Sequence, residues 1–496
     1  MAARPAGSHE ARPASERRRA VPRAFLRLAA VGATIASITG CSLLVGAARM
    51  YYDSTPEGSE MREWGLRRTL ARGAFDTALR HVSSRDEAAP RDKLLRSLYD
   101  GLVAFYAGEY ERSGHSFRTA DELADDRYTK SISRGALSMV SNDLVLPYMP
   151  GQTERLLLHY YAALSYLRRN DVPGAAVEVR RMSHLLEEFD ERREPADRST
   201  RAFLRYFAGA VFEAVGERND ADVAYRNARE LAAPGMLPAE TIVPNLSGEV
   251  IVLLERGFVA QRVEESIYID LDGSDRDSVD SDGHRADSAA SDASGIGELL
   301  RQLESDSDGG VYRTGGRRLH RHHHTDHDSD DFALKVAWPV YLRPIRHVAP
   351  AQVIRGTTVA APFTLSGDIS DAIIADYRRQ RLLMLTRTIA RATVKYAATE
   401  AAEKKKGEAG KAIASIAGSV LEHADTRSWH LLPADIGLAR IVLPPGRQHL
   451  SIRVGAEAGD ARVIDLGDVE ITPGGIVFLS TRLWPDLPRF ASTHER

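Results

Sequence analysis

The sequence predicts an α+β protein in which a helical half precedes a domain with a mainly antiparallel sheet and one long helix. Between about residues 62 and 234, apolar residues recur at spacings of three and four, which is the pattern of helices that bury one face. After Pro244 the pattern changes to short β-branched or alternating runs separated by Pro and Gly, and these predict strands. An amphipathic stretch among these runs, from about residue 371 to 405, predicts the long helix.

The composition is that of a globular protein large enough for two or three domains. The 496 residues include 66 Lys and Arg against 69 Asp and Glu, which gives a net charge of −3. A chain so close to neutral has no general attraction for nucleic acid, so no nucleic-acid partner is expected. Cys41 is the single cysteine of the chain, which excludes an intramolecular disulfide.

The N-terminus has the pattern of an export signal. Several arginines between residues 17 and 27 precede an uncharged, mostly apolar run over residues 28–40, which is shorter than the roughly 20 residues that a membrane-spanning helix needs. The end of this run and the next residue, Ile38-Thr39-Gly40-Cys41, resemble the lipobox of bacterial lipoproteins. The resemblance implies a signal peptide over residues 1–40, cleavage before Cys41, and attachment of diacylglycerol to the Cys41 thiol, with palmitate among the acyl chains of the lipidated protein.

The residue after the cysteine bears on localisation. Ser42 stands there rather than Asp, and in proteobacterial lipoproteins this favours sorting to the outer membrane. The resemblance therefore implies a chain held on the outer membrane by its N-terminal lipid and facing the periplasm, with residues 41–60 as a linker. A buried structural cysteine at the end of a helix is the alternative interpretation of Cys41.

Residues 61–244 are predicted to form a helical repeat domain, because aligning the breaks between the helices exposes a repeat of three units. The units are Gly101, Ala104, Gly108, Tyr110, Phe117 and Ala120; Ala163, Tyr166, Asn170, Ala175, Val179 and Met182; and Gly209, Phe212, Gly216, Ala221, Tyr225 and Ala228. These offsets resemble the tetratricopeptide repeat, a helix–turn–helix unit of about 34 residues. Insertions separate the units, and a generic helical bundle is the alternative.

Stacked repeats of this kind leave an extended concave surface that usually holds a segment of a partner protein. Five aromatic residues are candidates for lining it: Tyr160, Tyr161, Tyr166, Tyr206 and Phe207. Aromatic residues at helical spacing also form cores, and this second interpretation stays open.

Residues 270–331 are predicted to be a disordered insert, because their Asp, Ser, Gly, Arg and His content buries too little apolar area to offset chain entropy. A run that starts like a calcium loop at Asp270 has Asp275 where the loop requires Gly, which argues against calcium. The histidine tract from His320 to His327 has the right side chains for Zn²⁺ or Ni²⁺, but a flexible tract lacks the surroundings that orient ligands. No metal site and no cofactor is therefore predicted.

The α+β domain comprises a strand segment at residues 245–269 and the chain from 332 to 490. Further strands are predicted at 333–345, 353–363, 436–443, 449–454, 461–466 and 475–481, and a second helix at 410–423.

A segment between the helices and the last strands carries a family resemblance. It begins at Asp425 with the sequence Asp-Thr-Arg-Ser-Trp-His-Leu-Leu-Pro. This segment and the order of the parts resemble a family of proteobacterial lipoproteins that have a tetratricopeptide-like N-terminal half. Members are often linked by gene neighbourhood to a lipoprotein activator of a penicillin-binding protein. The resemblance implies a role in the cell envelope, supplies no catalytic residue, and does not extend to the insert.

Within this segment, Asp425, Arg427 and Trp429 are the strongest localised polar and aromatic candidates. A structural interpretation pairs Arg427 with Asp425 and places Trp429 between helix and sheet. A functional role for the three residues is the alternative.

No motif of a known active site occurs elsewhere in the sequence, such as a Gly-x-Ser-x-Gly elbow, a His-Glu-x-x-His pair or a phosphate-binding Gly-Lys loop. We therefore expect a non-catalytic, lipid-anchored scaffold whose repeats bind another envelope protein, linked to peptidoglycan synthesis or outer-membrane assembly. The alternative is a periplasmic envelope hydrolase or glycan-binding enzyme with its site in the α+β domain.

Overall fold

The computed structural model describes residues 56–83, 90–131, 146–190, 197–238, 246–270, 311–313, 333–343, 349–406, 424–455 and 461–485. Three predictions lie outside these ranges: the signal peptide with Cys41, the histidine tract of the insert, and the second helix at 410–423. The described residues from Glu60 onward belong to one compact unit.

The helices before the first strand form a layer. They are α1 (Pro56–Ala71), α2 (Phe75–Ser83), α3 (Lys93–Ala107), α4 (Tyr110–Ser131), α5 (Gln152–Leu167), α6 (Val172–Phe189), α7 (Arg198–Val215) and α8 (Arg218–Leu231). Within the described chain, α3 packs on α4, α5 on α6 and α7 on α8, which makes three helical hairpins. None of the helices that the structure describes is both long enough and apolar enough to cross a membrane.

The three hairpins turn by the same device. Gly108 and Gly216, which end α3 and α7, have φ angles of 82° and 86°, and Asn170 after α5 has φ 58°. Gly and Asn are the residues that adopt this left-handed conformation most readily, so they end a helix and reverse the chain. After Asn170, the Asp171 carboxylate accepts a hydrogen bond from Gly174 N at 2.8 Å, which caps α6.

The strands are β1 (Gly248–Arg256), β2 (Gln261–Asp270), β3 (Val311–Arg313), β4 (Ala333–Arg343), β5 (Ala351–Arg355), β6 (Thr358–Pro362), β7 (Leu365–Asp368), β8 (Asp435–Leu443), β9 (Gly446–Val454), β10 (Arg462–Ile471) and β11 (Ile476–Leu483). The long helix, α9, spans Ile369–Lys406. In the described chain the strand orders are β11-β1-β8-β7 in sheet 1, β10-β9-β5-β6 in sheet 2 and β2-β4-β3 in sheet 3. Of the described strand pairs, β1–β11 and β3–β4 are parallel and the others antiparallel.

Sheet 1 lies between the helical layer and sheet 2. Along β1, Ile251 and Leu253 belong to the core that includes the helices, whereas Val250, Val252 and Leu254 belong to the core shared with sheet 2. Successive side chains of a strand point to opposite faces, so a strand buried on both faces is apolar at every position. This explains the unbroken apolar run at residues 250–254.

The α+β class, the long helix and the mainly antiparallel pairing are thus present. Two expectations about strands are corrected. The stretch 353–363 is a hairpin of β5 and β6, because Gly356 (φ 59°) turns the chain between them. Residues 270–331 contain a strand, β3, which pairs with β4 through the register Val311–Tyr341; the rest of that range after Asp270 lies outside the described residues.

Candidate functional site

The segment with the family resemblance lies where the helical layer meets sheet 1. We call residues 424–434 the junction segment. Its carbonyl oxygens accept hydrogen bonds from both layers: Tyr99 Oη of α3 donates to Ser428 O at 2.6 Å, and Val259 N after β1 donates to Leu432 O at 2.9 Å. Arg67 Nη2 of α1 donates to His430 O at 2.7 Å. The segment therefore joins elements that are far apart in the chain.

Trp429 is the buried centre of this junction. Its side chain is fully buried, and its ring centroid lies 5.9 Å from that of Phe117 in α4 and 6.1 Å from that of Tyr161 in α5. Its backbone N donates to Glu154 Oε1 at 2.8 Å. The position between helices and sheet is the one that the structural interpretation of the sequence predicted.

Arg427 forms the polar rim of the junction. Its Nε and Nη2 donate to the two carboxylate oxygens of Asp425 at 2.8 and 2.7 Å, its Nη1 to Asp92 Oδ1 at 2.6 Å, and its Nη2 to Leu146 O at 3.0 Å. Burial by itself raises the pKa of Asp425, but the hydrogen bonds and charge of Arg427 outweigh burial and hold that pKa below its usual value. The predicted pair of Arg427 and Asp425 is therefore present. Arg427 also binds Asp92 and the loop before α5.

Two carboxylates that the sequence analysis did not select lie beside the junction. Glu154, in the first turn of α5, accepts hydrogen bonds from Gly151 N at 3.0 Å and from the Tyr148 hydroxyl, and burial raises its pKa. Asp376 of α9 accepts from Thr153 N at 2.6 Å and from Arg379, and burial raises the pKa of Asp376 to about 6. Backbone N–H groups at a helix N-terminus need such acceptors.

These residues border a small cleft of about 50 Å³ between α5, α9, sheet 3 and the junction segment. Arg262 of β2 and Tyr341 of β4 form part of its wall. Sequence patterns do not reveal Arg262, Glu154 and Asp376 as neighbours, because residues so far apart in the chain leave no common spacing. One local signal was present: Glu154 is the third residue of its helix after Gly151, the position of a capping-box Glu.

The five aromatic candidates for a partner surface do not line an open groove. Tyr160, Tyr161 and Phe207 are fully buried and Tyr206 is 7% exposed, whereas Tyr166 is partly buried. The expectation of an exposed aromatic surface is therefore corrected for the buried residues, which are Tyr160, Tyr161, Tyr206 and Phe207. The physical reason is that the apolar faces of α5 and α7 lie against sheet 1. There the ring centroid of Phe207 lies 6.2 Å from that of Phe478. These residues form core, as the second interpretation of the sequence had it.

Among the described residues, no group of three His, Cys, Asp or Glu side chains is placed to hold a metal ion. No known family model matches the chain, and no curated protein matches its sequence.

Proposed function

We propose that this chain is a lipid-anchored scaffold of the bacterial envelope that binds another envelope protein through tetratricopeptide-like helical hairpins. It belongs, on this proposal, to the lipoprotein family that its junction segment resembles, and it is held on the outer membrane facing the periplasm through Cys41. The protein has no catalytic role.

One repeated contact carries the proposal. In the hairpin of α3 and α4, the Phe117 ring lies over Gly101, and in that of α7 and α8 the Tyr225 ring lies over Gly209, 16 residues along in both cases. Ala163 and Val179 occupy the same offset in the middle hairpin and are both fully buried. A small residue opposite a large one at a constant offset is how stacked repeats interlock, and such arrays usually bind other proteins.

The distribution of exposed residues supports a partner surface on the outer helices. The inner helices α5 and α7 are buried along most of their length, beneath the junction segment and sheet 1. The outer helices α4, α6 and α8 expose charged side chains, among them Glu122, Glu187 and Arg226. A partner would thus meet the outer faces, since the chain's own residues cover the inner ones.

The alternative function, a hydrolase or glycan-binding enzyme, finds its best support in the cleft with its two carboxylates of raised pKa. The oxygens of Glu154 and Asp376 already accept hydrogen bonds from the Trp429 and Thr153 backbones and their neighbours. Pockets for small-molecule ligands usually measure about 300–1,000 Å³, far more than this cleft of about 50 Å³. Both points favour the scaffold.

The test is chemical crosslinking in intact cells, followed by purification of the lipidated chain. The variant reverses three exposed outer-helix charges, with Glu122→Lys, Glu187→Lys and Arg226→Glu. A matched control reverses three exposed charges of sheet 2, with Arg355→Glu, Asp465→Lys and Glu470→Lys, so that both variants change the net charge by the same amount. We expect an envelope protein to crosslink to the wild type and the control but not to the helix variant. Equal capture by both variants, or capture of nothing by the wild type, would contradict the proposal.

The anchor is tested separately with Cys41→Ser. We expect this variant to lose palmitate labelling and to leave the membrane fraction, because the acylated thiol is the proposed point of attachment. Equal labelling of wild type and variant would refute lipidation at Cys41.

A further inference from the structure

Arg262 of β2 forms no salt bridge with an acidic residue in the part of the chain that the structure describes. Its Nη1 lies 3.4 Å from Arg427 O, which is a long contact, and its Nη2 lies 3.6 Å from Met384 Sδ, which is a weak acceptor. Its Nε is buried and has no hydrogen-bond partner in the described structure. No described carboxylate forms a salt bridge with this guanidinium. Arg262 as a whole is partly buried, and charged groups that lose part of their contact with water are normally paired or extensively hydrogen-bonded, so its guanidinium can take a further partner.

The acidic groups around Arg262 are already committed to other donors. Asp425 holds Arg427 through both carboxylate oxygens. Glu154 accepts from Trp429 N, Gly151 N and the Tyr148 hydroxyl. Asp376 accepts from Thr153 N and Arg379. The charge of Asp425 favours the charged form of Arg262 from a distance. In the described structure, however, none of the three carboxylates accepts a hydrogen bond from the Arg262 guanidinium.

The cleft supplies a second donor beside the guanidinium. Tyr341, paired with Arg262 in the β2–β4 register, lines the cleft and forms no hydrogen bond through its hydroxyl to a described residue. Met149, which is 40% exposed, is also part of the wall. A space of about 50 Å³ suits one small planar group rather than a sugar ring or a nucleotide.

We propose that this cleft binds a carboxylate, which Arg262 holds with its guanidinium and Tyr341 with its hydroxyl. A planar carboxylate matches the fork of N–H donors on an arginine and neutralises a charge with which no described carboxylate forms a salt bridge. The carboxylate belongs either to a small free acid or to a peptide of a partner. This site does not depend on the proposed scaffold function, because the outer helix faces take no part in it.

The probe is acetate, titrated against the detergent-solubilised full chain at constant ionic strength with chloride as the reference anion. A ligand that binds only the folded state raises the melting temperature as its concentration increases. We expect acetate to raise the Tm of the wild type above that in chloride. Arg262→Gln should weaken the acetate affinity by about tenfold or more, since it removes a charge-assisted pair. Tyr341→Phe should weaken it by a smaller factor, and Arg355→Gln, at an exposed arginine of β5, should leave it unchanged.

Three results would overturn the proposal: no acetate-dependent rise in the wild type, an equal rise in Arg262→Gln, or a rise with inorganic phosphate alone. If Arg262→Gln does not fold, Tyr341→Phe decides, because it removes only one hydroxyl; an unchanged acetate response in that variant then counts against the site. A tripeptide with a free C-terminal carboxylate, compared with its C-terminal amide, separates the two sources. Tighter binding of the peptide acid than of acetate assigns the site to a peptide, and the reverse order assigns it to a small acid.

Discussion

The ring of Tyr225 covers the backbone of Gly209 so closely that a Cβ at Gly209 would stand 2.7 Å from two of its carbon atoms. Tyr225 is also fixed from its other end, because its hydroxyl donates to Glu213 Oε2 at 2.6 Å and accepts from Arg440 Nη1 at 2.8 Å. The ring therefore has little freedom to move away from a larger residue. The contact joins α7 and α8 to β8 of sheet 1.

The first prediction follows from this contact. Gly209→Ala should lower the free energy of unfolding by about 1–3 kcal/mol, because the added methyl group overpacks the hairpin. Gly114→Ala is the matched control: Gly114 also lies within a helix, but nothing surrounds its Cβ position within 4 Å. There the same substitution should stabilise the protein by about 0.5–1 kcal/mol. Urea denaturation measures both, and a loss of stability at Gly114 equal to that at Gly209 would contradict the packing argument.

The helical spacing in the sequence is enough to predict this kind of contact, since it singles out Gly101, Gly209 and their aromatic partners. It could not say what covers the inner helix faces. An apolar stripe shows that a helix is covered, but a partner's segment and the chain's own sheet leave the same pattern. The sequence therefore allows two interpretations of Tyr160 and Phe207, and only the position of sheet 1 decides between them.

The junction segment shows the second limit of local patterns. Asp425 and Arg427 are two residues apart, so their pairing could be foreseen. Glu154 and Trp429 are 275 positions apart and meet through one hydrogen bond. Long-range contacts of this kind arise from the whole packing of the layers, and a single sequence carries no spacing that reveals them.

The second prediction concerns the guanidinium of Arg427. Arg427→Lys should destabilise the protein by about 1–3 kcal/mol, because an ammonium group cannot reproduce the planar fork that holds Asp425, Asp92 and Leu146 O. Arg447→Lys provides the control. Arg447 also pairs with an aspartate, Asp468 at 2.7 Å, but its side chain is 75% exposed, and water screens an exposed pair so that it contributes little to stability. Chemical denaturation should therefore separate the two variants, and equal losses would show that Arg427 has no special role.

The third prediction concerns a buried histidine between three helices. His159 of α5 is 3% exposed, with Nδ1 2.9 Å from Glu178 Oε2 of α6 and Nε2 3.4 Å from Asp121 Oδ1 of α4. Burial alone would lower the pKa of His159, but Asp121 and Glu178 outweigh burial and raise it. The raised pKa means that charged His159 stabilises the fold fully below its unfolded value of about 6.5, and this contribution is lost as the pH rises through the folded pKa.

We therefore expect the wild type to lose more unfolding free energy than His159→Gln between pH 6 and pH 9. His115→Gln, at an exposed position of α4, should behave as the wild type does. Urea denaturation at several pH values measures the slopes. Parallel curves for the wild type and His159→Gln would show that folding does not raise the pKa of His159.

The last prediction concerns Asp376. Folding raises the pKa of its carboxyl group, whereas a salt bridge lowers the pKa of an acid. Burial raises the pKa of Asp376 to about 6 from an ordinary value of 3.8, although Arg379 and the Thr153 amide oppose the shift. Between these two values the folded state binds the proton more tightly than the unfolded state does. The contribution of Asp376 to stability therefore falls as the pH rises from about 4 to 6 and stays low above that range. A change in the pKa from 3.8 to about 6 corresponds to a loss of about 3 kcal/mol in the free energy of unfolding.

Asp376→Asn keeps an oxygen that can accept from Thr153 N at 2.6 Å in the wild type, but it carries no charge at any pH. The difference in unfolding free energy between Asp376→Asn and the wild type should thus shift in favour of the variant by about 2 kcal/mol from pH 4 to pH 7.5. Asp222→Asn, at an exposed position of α8, should show no such trend. Guanidinium denaturation across this pH range measures the difference, and a flat difference for Asp376→Asn would mean that the carboxyl group ionises as it does in the unfolded chain. A shift in favour of the wild type would mean instead that the Thr153 amide and Arg379 outweigh burial, which makes Asp376 a stabilising cap of α5 in its charged form.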